Sequence, residues 1–346
     1  GLATAERLKH SPGSQTARSA LLTELLTHYE SLLEVSGDST RLLKMRAITS
    51  TKIANVYREL GELDPALQAY REAVVDKRTV SNVDEDAAPL LARCLSNMSV
   101  VLHDLGNHER ARRIVEEAIR LQQQHVSSSR SPSSLLDLAA THLNVASLNS
   151  ASETSLRHLN AALDLAEQAR HEGHATGRTR FEALSTLSMV LGRLSEQFRR
   201  TDSAASVRYA QRAVGCSKQL VKSDTLASPL AIHCRAHAVN CNNLASLLVS
   251  QGSFADALRL FADAAETLAD IEDRKGAVLA LTNLGKCQVR TGDQPSAADT
   301  YQRAIALQLT LLAESPGDLN HASRLGGLHN NLAFVYSEMG MHGMAC

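Results

Sequence analysis

Three stretches of the chain repeat one pattern in register, and that periodicity limits the fold more than any other feature. The stretches are Ile53-Ala54 through Tyr57, Gly61, Ala66 and Tyr70 to Ala73, then Leu244-Ala245 to Ala264, and Leu284-Gly285 to Ala304. Each unit reads as two helices. In the copy from Val278, apolar Leu281, Leu284 and Val289 share one helical stripe before Gly292, which accepts the left-handed conformation that ends a helix. Asp293 follows as a candidate cap for the next helix, and Ser253 and Asn107 stand in the same place after their glycines. A helix pair of this size cannot bury its own apolar face, so the copies must stack into a solenoid.

Small residues recur where helix backbones must approach closely. One row is Ala54, Ser99, Ala146, Ser188, Ala245, Gly285 and Ala333, a second is Ala66, Ala111, Ala257, Ala297 and Ala345, and a third is Ala73, Ala118, Ala162, Ala213, Ala264 and Ala304. Between the second and third rows a larger residue fills the groove: Tyr70, Val115, Phe261 and Tyr301.

With these rows the chain resembles tetratricopeptide-repeat proteins, whose pattern has small residues at its eighth, twentieth and twenty-seventh positions. The resemblance implies an all-α, right-handed α-solenoid of stacked antiparallel helix pairs. Residues 1–46 are expected to form N-terminal capping helices, led by the amphipathic run Ala20 to Leu33, and residues 47–346 the array. Repeats start near 47, 92, 137, 180, 238 and 278, with a half repeat from 326. The copies at 137 and 180 lose the glycine turn, and whether Gly192 to Ala205 is helix or loop stays open. Starts at 47 and 92 lie further apart than the roughly 34 residues of the common repeat, which requires long second helices such as the run Ala304 to Leu312. Such helices are similar to those of kinesin light chains and bacterial signalling arrays. The segment Ala304 to Leu332 further resembles arrays fused behind bacterial serine/threonine kinases.

Composition fits this architecture. Of 346 residues 44% are hydrophobic but only 3% aromatic, so the core must be built from Leu, Ala and Val, and the array counts as one domain that adds length without thickening. A net charge of −1, from 36 basic and 37 acidic residues, lacks the footprint of a general nucleic-acid or membrane-surface binder. The basic pairs Arg112-Arg113 and Arg199-Arg200 read as solvated helix faces. No apolar run is long enough to span a membrane, and no secretion signal opens the chain. Six scattered cysteines predict free thiols in a reducing, cytoplasmic compartment.

The sequence predicts no enzyme and no cofactor. Phosphate-binding loops, nucleophile elbows and kinase sets are missing, and His103-Asp104-Leu105, before Gly106, reads as a helix end. His233, Cys234, His237 and Cys241 put several potential ligands along one helix, but no second cluster completes a tetrahedron, so no metal is expected. His171-Glu172-Gly173-His174 lacks the spacing of a zinc protease.

The expected site is a peptide groove on the first helices. Asparagine precedes the apolar residue of that helix in five repeats, at Asn97, Asn144, Asn243, Asn283 and Asn331. In the resembled family an asparagine here often bonds the main chain of an extended peptide, although the same amide can equally bridge neighbouring first helices. Asn55 and Lys286 lie one turn on, Arg58 and Arg290 beyond them, and Lys52 replaces the first asparagine, adding charge selection. Arg93 and Asn97 only approximate the second half of the family's carboxylate clamp, so a chaperone-tail receptor is not expected. The expected function is therefore a non-catalytic scaffold binding a protein or peptide. The alternatives are a regulatory module of a larger signalling enzyme and self-association through the C-terminal end, where Leu332 and Tyr336 are expected to be partly uncovered.

Overall fold

The computed structural model describes residues 15–33, 40–81, 88–148, 153–172, 177–222 and 231–345. Every regular element among them is a helix. They form two compact units, residues 17–194 and residues 195–345. In an array each pair touches only its neighbours, so compactness is local and one long chain divides readily.

The first unit begins with α1 (Gln15–Leu33), whose Leu22 is buried against Val56 of α2 (Thr40–Leu60), with Leu26, Tyr29 and Leu60 around them. α2 pairs with α3 (Leu63–Ser81), α4 (Ala88–Asp104) with α5 (His108–Ser128), and α6 (Pro132–Leu148) with α7 (Glu153–His171). α3 also packs on α4 and α5 on α6, so the pairs stack in chain order. α8 (Gly177–Phe198) crosses the boundary between the units. The second unit adds α9 (Ser203–Val221), α10 (Ala231–Ser250), α11 (Phe254–Asp270), α12 (Arg274–Thr291), α13 (Gln294–Glu314), α14 (Leu319–Glu338) and the short α15 (His342–Ala345). From α9 to α15 each helix packs on the next. Each unit is an all-α stack of antiparallel helix pairs.

The helices start upstream of the repeat boundaries read from the sequence, α2 at Thr40 and α10 at Ala231. The second helices are long as expected, α13 running through the whole of Ala304 to Leu312. The segment left open resolves into helix to Phe198, a turn, and helix from Ser203, with the Asp202 carboxylate accepting the Ala205 amide at 2.8 Å.

Glycine makes the turns. Gly61, Gly106, Gly252, Gly292 and Gly340 all have φ between 73° and 85°, where a Cβ would be strained. After each, the next amide reaches back across the turn, as in Glu62 N–H to Tyr57 O (2.9 Å) and Asp293 N–H to Gln288 O (3.0 Å). The turn before α12 reaches the same geometry without glycine, Glu272 taking φ 56°.

Capping is narrower than the sequence predicts. Asp293 accepts from the Ser296 amide, whereas the side chains of Asn107 and Ser253 make no cap bond. Backbone angles at the three positions are nearly the same, so the difference lies in the side chain. A carboxylate is drawn to the positive helix N-terminus, while a neutral amide or hydroxyl is held less strongly.

Most of the small rows are buried, with Ala54, Ala66, Ala73, Ala245, Ala257 and Ala264 wholly covered and Ala333 half-buried. Gly285 shows why the first row must be small. A Cβ there would lie 2.8 Å from Cε1 and Cζ of Tyr301, a ring buried in the second unit's core. Gly285→Ala gains about 1 kcal/mol of helix propensity but incurs an overpacking cost of about 1–3 kcal/mol, so we expect net destabilisation. A lowered denaturation midpoint, restored when Tyr301→Leu is added, is the expected result; an unchanged or raised midpoint overturns it.

Candidate functional site

The ten residues expected to bind a ligand divide five and five between the units. Lys52, Asn55, Arg58, Asn97 and Asn144 lie in the first, and Asn243, Asn283, Lys286, Arg290 and Asn331 in the second.

Several are already engaged within the protein. The Asn144 amide donates to Ser96 Oγ of α4 at 2.9 Å, and the Asn283 amide donates to Asn242 Oδ1 of α10 at 2.8 Å. These bonds tie neighbouring first helices together. Asn55 Oδ1 accepts from the Tyr70 hydroxyl at 2.6 Å, inside its own helix pair. Burial pushes the Tyr70 phenol up to about 12, with the nearby Arg58 charge opposing the shift. The Lys52 ammonium sits 5.4 Å over the Tyr29 ring, and the Arg290 guanidinium 5.1 Å over Phe254. By contrast Asn97, Asn243, Asn331 and Lys286 have no hydrogen-bond or ion-pair partner among the described residues. Asn243 and Lys286 are exposed.

Two apolar side chains complete this face of the second unit. Val239 and Leu279, each four residues before the asparagine of its repeat, are 53% and 51% exposed. A residue four earlier falls on the same helix face, so α10 and α12 present the matched pairs Val239/Asn243 and Leu279/Asn283. The asparagine signal was visible in sequence; these apolar partners read there as ordinary helix residues.

Leu332 is half-buried, as expected of a partly uncovered side chain, whereas Tyr336 is buried, contrary to the expectation. The Tyr336 hydroxyl accepts from Gln302 Nε2 at 2.6 Å, because α13 covers it. Phe334, on the other side of α14, is the exposed aromatic.

The arginine reading changes in one place. Arg113 lines a groove of about 470 Å³ in the first unit with Arg71, Arg78 and Arg110, over Val74 and Ile114. Arg78 pairs with Glu117 and Arg113 with Glu109, whereas Arg71 and Arg110 form no ion pair among the described residues. No sequence window holds these four, since α3 and α5 contribute two each. Nearby, Lys77 is buried with its ammonium donating to Ala47 O (3.2 Å) and to Thr51 Oγ1, and burial lowers its pKa.

Cys94, Cys216, Cys234, Cys241 and Cys287 are all buried free thiols; Cys346 lies outside the described residues. His233 and Cys234 are buried in α10 and belong to no candidate metal cluster among the described residues. His237 and Cys241, one turn apart, meet Asp263 of α11, which the sequence reading did not associate with them. Burial lowers the His237 pKa, with Asp263 opposing, and burial pushes the Cys241 thiol up to about 12. Of the His171 to His174 run, Gly173 and His174 lie outside the described residues, and His171 stands 3.8 Å from Glu167. Among the described residues no helix is long and apolar enough to cross a membrane.

Three segments match tetratricopeptide-repeat family models, residues 49–74, 91–132 and 236–310. They coincide with the copies that keep the glycine turn. Solved structures share the stacked-helix fold. A Signal Transduction ATPase with Numerous Domains protein with a tetratricopeptide repeat sensor, from Pyrococcus horikoshii, aligns with TM-score 0.57 at 15% identity over 88% of this chain. The chain spans 45% of the length of that protein. The apo form of RapI aligns with TM-score 0.58 at 12% identity, covering 86% of this chain and 73% of that one. The assembly chaperone of RpL4, Acl4, gives 0.51 at 12%, over 87% and 99%. Among curated proteins, none matches the sequence significantly. Glycine turns, buried small rows, family models and fold agree: the chain is a repeat protein of the tetratricopeptide type. Such arrays are typically non-catalytic.

Proposed function

We propose that the protein is an interaction scaffold whose second unit holds an extended segment of a partner on the first-helix face of α10 and α12. The observation that carries this reading is an exposed apolar side chain matched with an asparagine at one register, Val239 with the exposed Asn243 and Leu279 with the half-buried Asn283. Val239 and Leu279 offer apolar area for alternate side chains of an extended ligand. Asn243 can donate to and accept from its main chain, and Asn283 retains its carbonyl oxygen beyond the bond to Asn242. Lys286 has no carboxylate partner among the described residues, which favours ligands with acidic residues. Acl4 is an assembly chaperone, and partner binding of that general kind fits a stacked-helix surface of this sort.

A displayed random-peptide library provides the test. Peptides enriched on the wild-type chain should carry apolar and acidic residues. Their affinity should fall about tenfold or more with Asn243→Ala plus Lys286→Glu, consistent with loss of polar contacts worth about 1–3 kcal/mol. Both side chains are exposed, so folding should be unchanged by circular dichroism. Binders insensitive to this pair but abolished by Arg71→Glu plus Arg110→Glu overturn the reading and move the site to the arginine groove of the first unit.

A further inference from the structure

We propose that His237, Cys241 and Asp263 bind one zinc ion, with a water in the fourth position on the Asp263 side. His237 and Cys241 are one turn apart on α10 and nearly fully buried. Asp263 reaches them from α11 while leaving 42% of its side chain exposed, which provides a route in. His237 Nε2 lies 3.4 Å from Asp263 Oδ2 and 3.6 Å from Cys241 Sγ, and Sγ lies 3.9 Å from Oδ2. A tetrahedral zinc with bonds of about 2.3 Å to sulfur and about 2.0–2.1 Å to nitrogen and oxygen needs donor separations of about 3.3–3.6 Å. Two of the three separations match and the third is slightly long.

A second partner can orient the imidazole for this task. Ser217 Oγ lies 3.1 Å from Val214 O and 3.0 Å from His237 Nδ1, so with its hydrogen on the carbonyl the hydroxyl can accept from a protonated Nδ1. In that tautomer Nε2 is free to bind the metal, whereas without metal an Nε2 proton can bond the Asp263 carboxylate 3.4 Å away. A metal-bound histidine is held in the same way, by a second partner on its other nitrogen. On zinc binding the thiol proton leaves to solvent, sulfur binds as thiolate, an imidazole protonated on Nδ1 binds through Nε2, and the carboxylate binds through an existing lone pair. Mixed sulfur, nitrogen and oxygen donors favour zinc over magnesium or calcium. Cys241 lies between Val239 and Asn243, so the ion would stiffen the helix that carries the proposed peptide contacts while pointing away from them.

The test uses the whole tag-free chain. After dialysis against zinc, metal analysis should find one ion per chain, and cobalt substitution should give a near-ultraviolet thiolate-to-cobalt band. Cys241→Ser should abolish the band, Ser217→Ala should weaken zinc binding about 10–100-fold, and Cys287→Ser should change neither. If Cys241→Ser fails to fold, Asp263→Asn, altered at a partly exposed side chain, carries the test and should weaken binding at least tenfold. Wild type without stoichiometric zinc, or a folded Cys241→Ser or Asp263→Asn that binds as tightly as wild type, overturns the proposal. Peptide binding is read separately, so either idea can fail alone.

Discussion

Asp273→Ala is expected to cost the second unit about 3–5 kcal/mol, the range for removing one partner of a buried ion pair. One carboxylate serves two neighbours. Its Oδ1 accepts the Gly276 amide at 3.0 Å and caps α12, and its Oδ2 accepts Arg235 Nε of α10 at 2.5 Å. The pair is deeply placed, with side-chain exposures of 16% for Arg235 and 11% for Asp273. Arg235 Nη1 is buried without a hydrogen-bond partner among the described residues, so losing the carboxylate leaves the guanidinium poorly compensated. Loss of the cap adds about 1 kcal/mol. Urea denaturation followed by circular dichroism should show a large fall in the midpoint of the second unit. Asp273→Asn, which keeps an acceptor for Gly276 but loses the charge, should fall between wild type and alanine. Arg235→Met in the Asp273→Asn background should regain stability, because it removes the stranded cation. If Asp273→Ala costs no more than an exposed cap, the ion pair contributes nothing and the argument fails.

The parts of the fold legible in the sequence were those set by one residue's own conformation or size. Gly61, Gly106, Gly252 and Gly292 had to be turns because few other residues accept their backbone angles. Ala54, Ala66 and Ala73 had to be buried because no larger side chain fits between paired helices. What depends on a neighbour's register was not legible. Asn144 and Asn283 look like Asn97 and Asn243 in sequence. Only Ser96 and Asn242 on the adjoining helix decide that the first two bridge helices while the others remain unpartnered. Asp263 is 22 residues from Cys241 and joins its cluster only because α10 and α11 pair. The arginine groove is hidden for the same reason, since α3 and α5 each supply half of it. Caps fell between these cases: position identified Asp293, Ser253 and Asn107 alike, and side-chain charge then separated them.

Acid is expected to weaken the first unit through His142 by about 3 kcal/mol between pH 6.5 and pH 4, taking about 1.36 kcal/mol per pKa unit. His142 of α6 and His158 of α7 face each other with their Nδ1 atoms 2.7 Å apart, a contact that requires one nitrogen to donate and the other to accept. Neutral rings in complementary tautomers satisfy it, whereas two imidazolium rings cannot. Burial lowers the His142 pKa to about 4, with the neighbouring His158 adding to the effect. His158 is also lowered, chiefly by burial and then by Arg157, while Glu116 opposes. In the unfolded chain a histidine titrates near 6.5, so between that value and about 4 the unfolded state binds a proton that the folded state refuses. Stability therefore rises with pH across this window, is fully present above about 6.5, and is lost as pH falls through it. Denaturation midpoints measured at pH 7 and pH 4.5 should differ strongly for wild type. His142→Asn removes the titrating ring and should flatten that difference, even if it lowers stability at pH 7 by breaking the pair. An equal pH slope in the variant would show that the acid sensitivity arises elsewhere in the array.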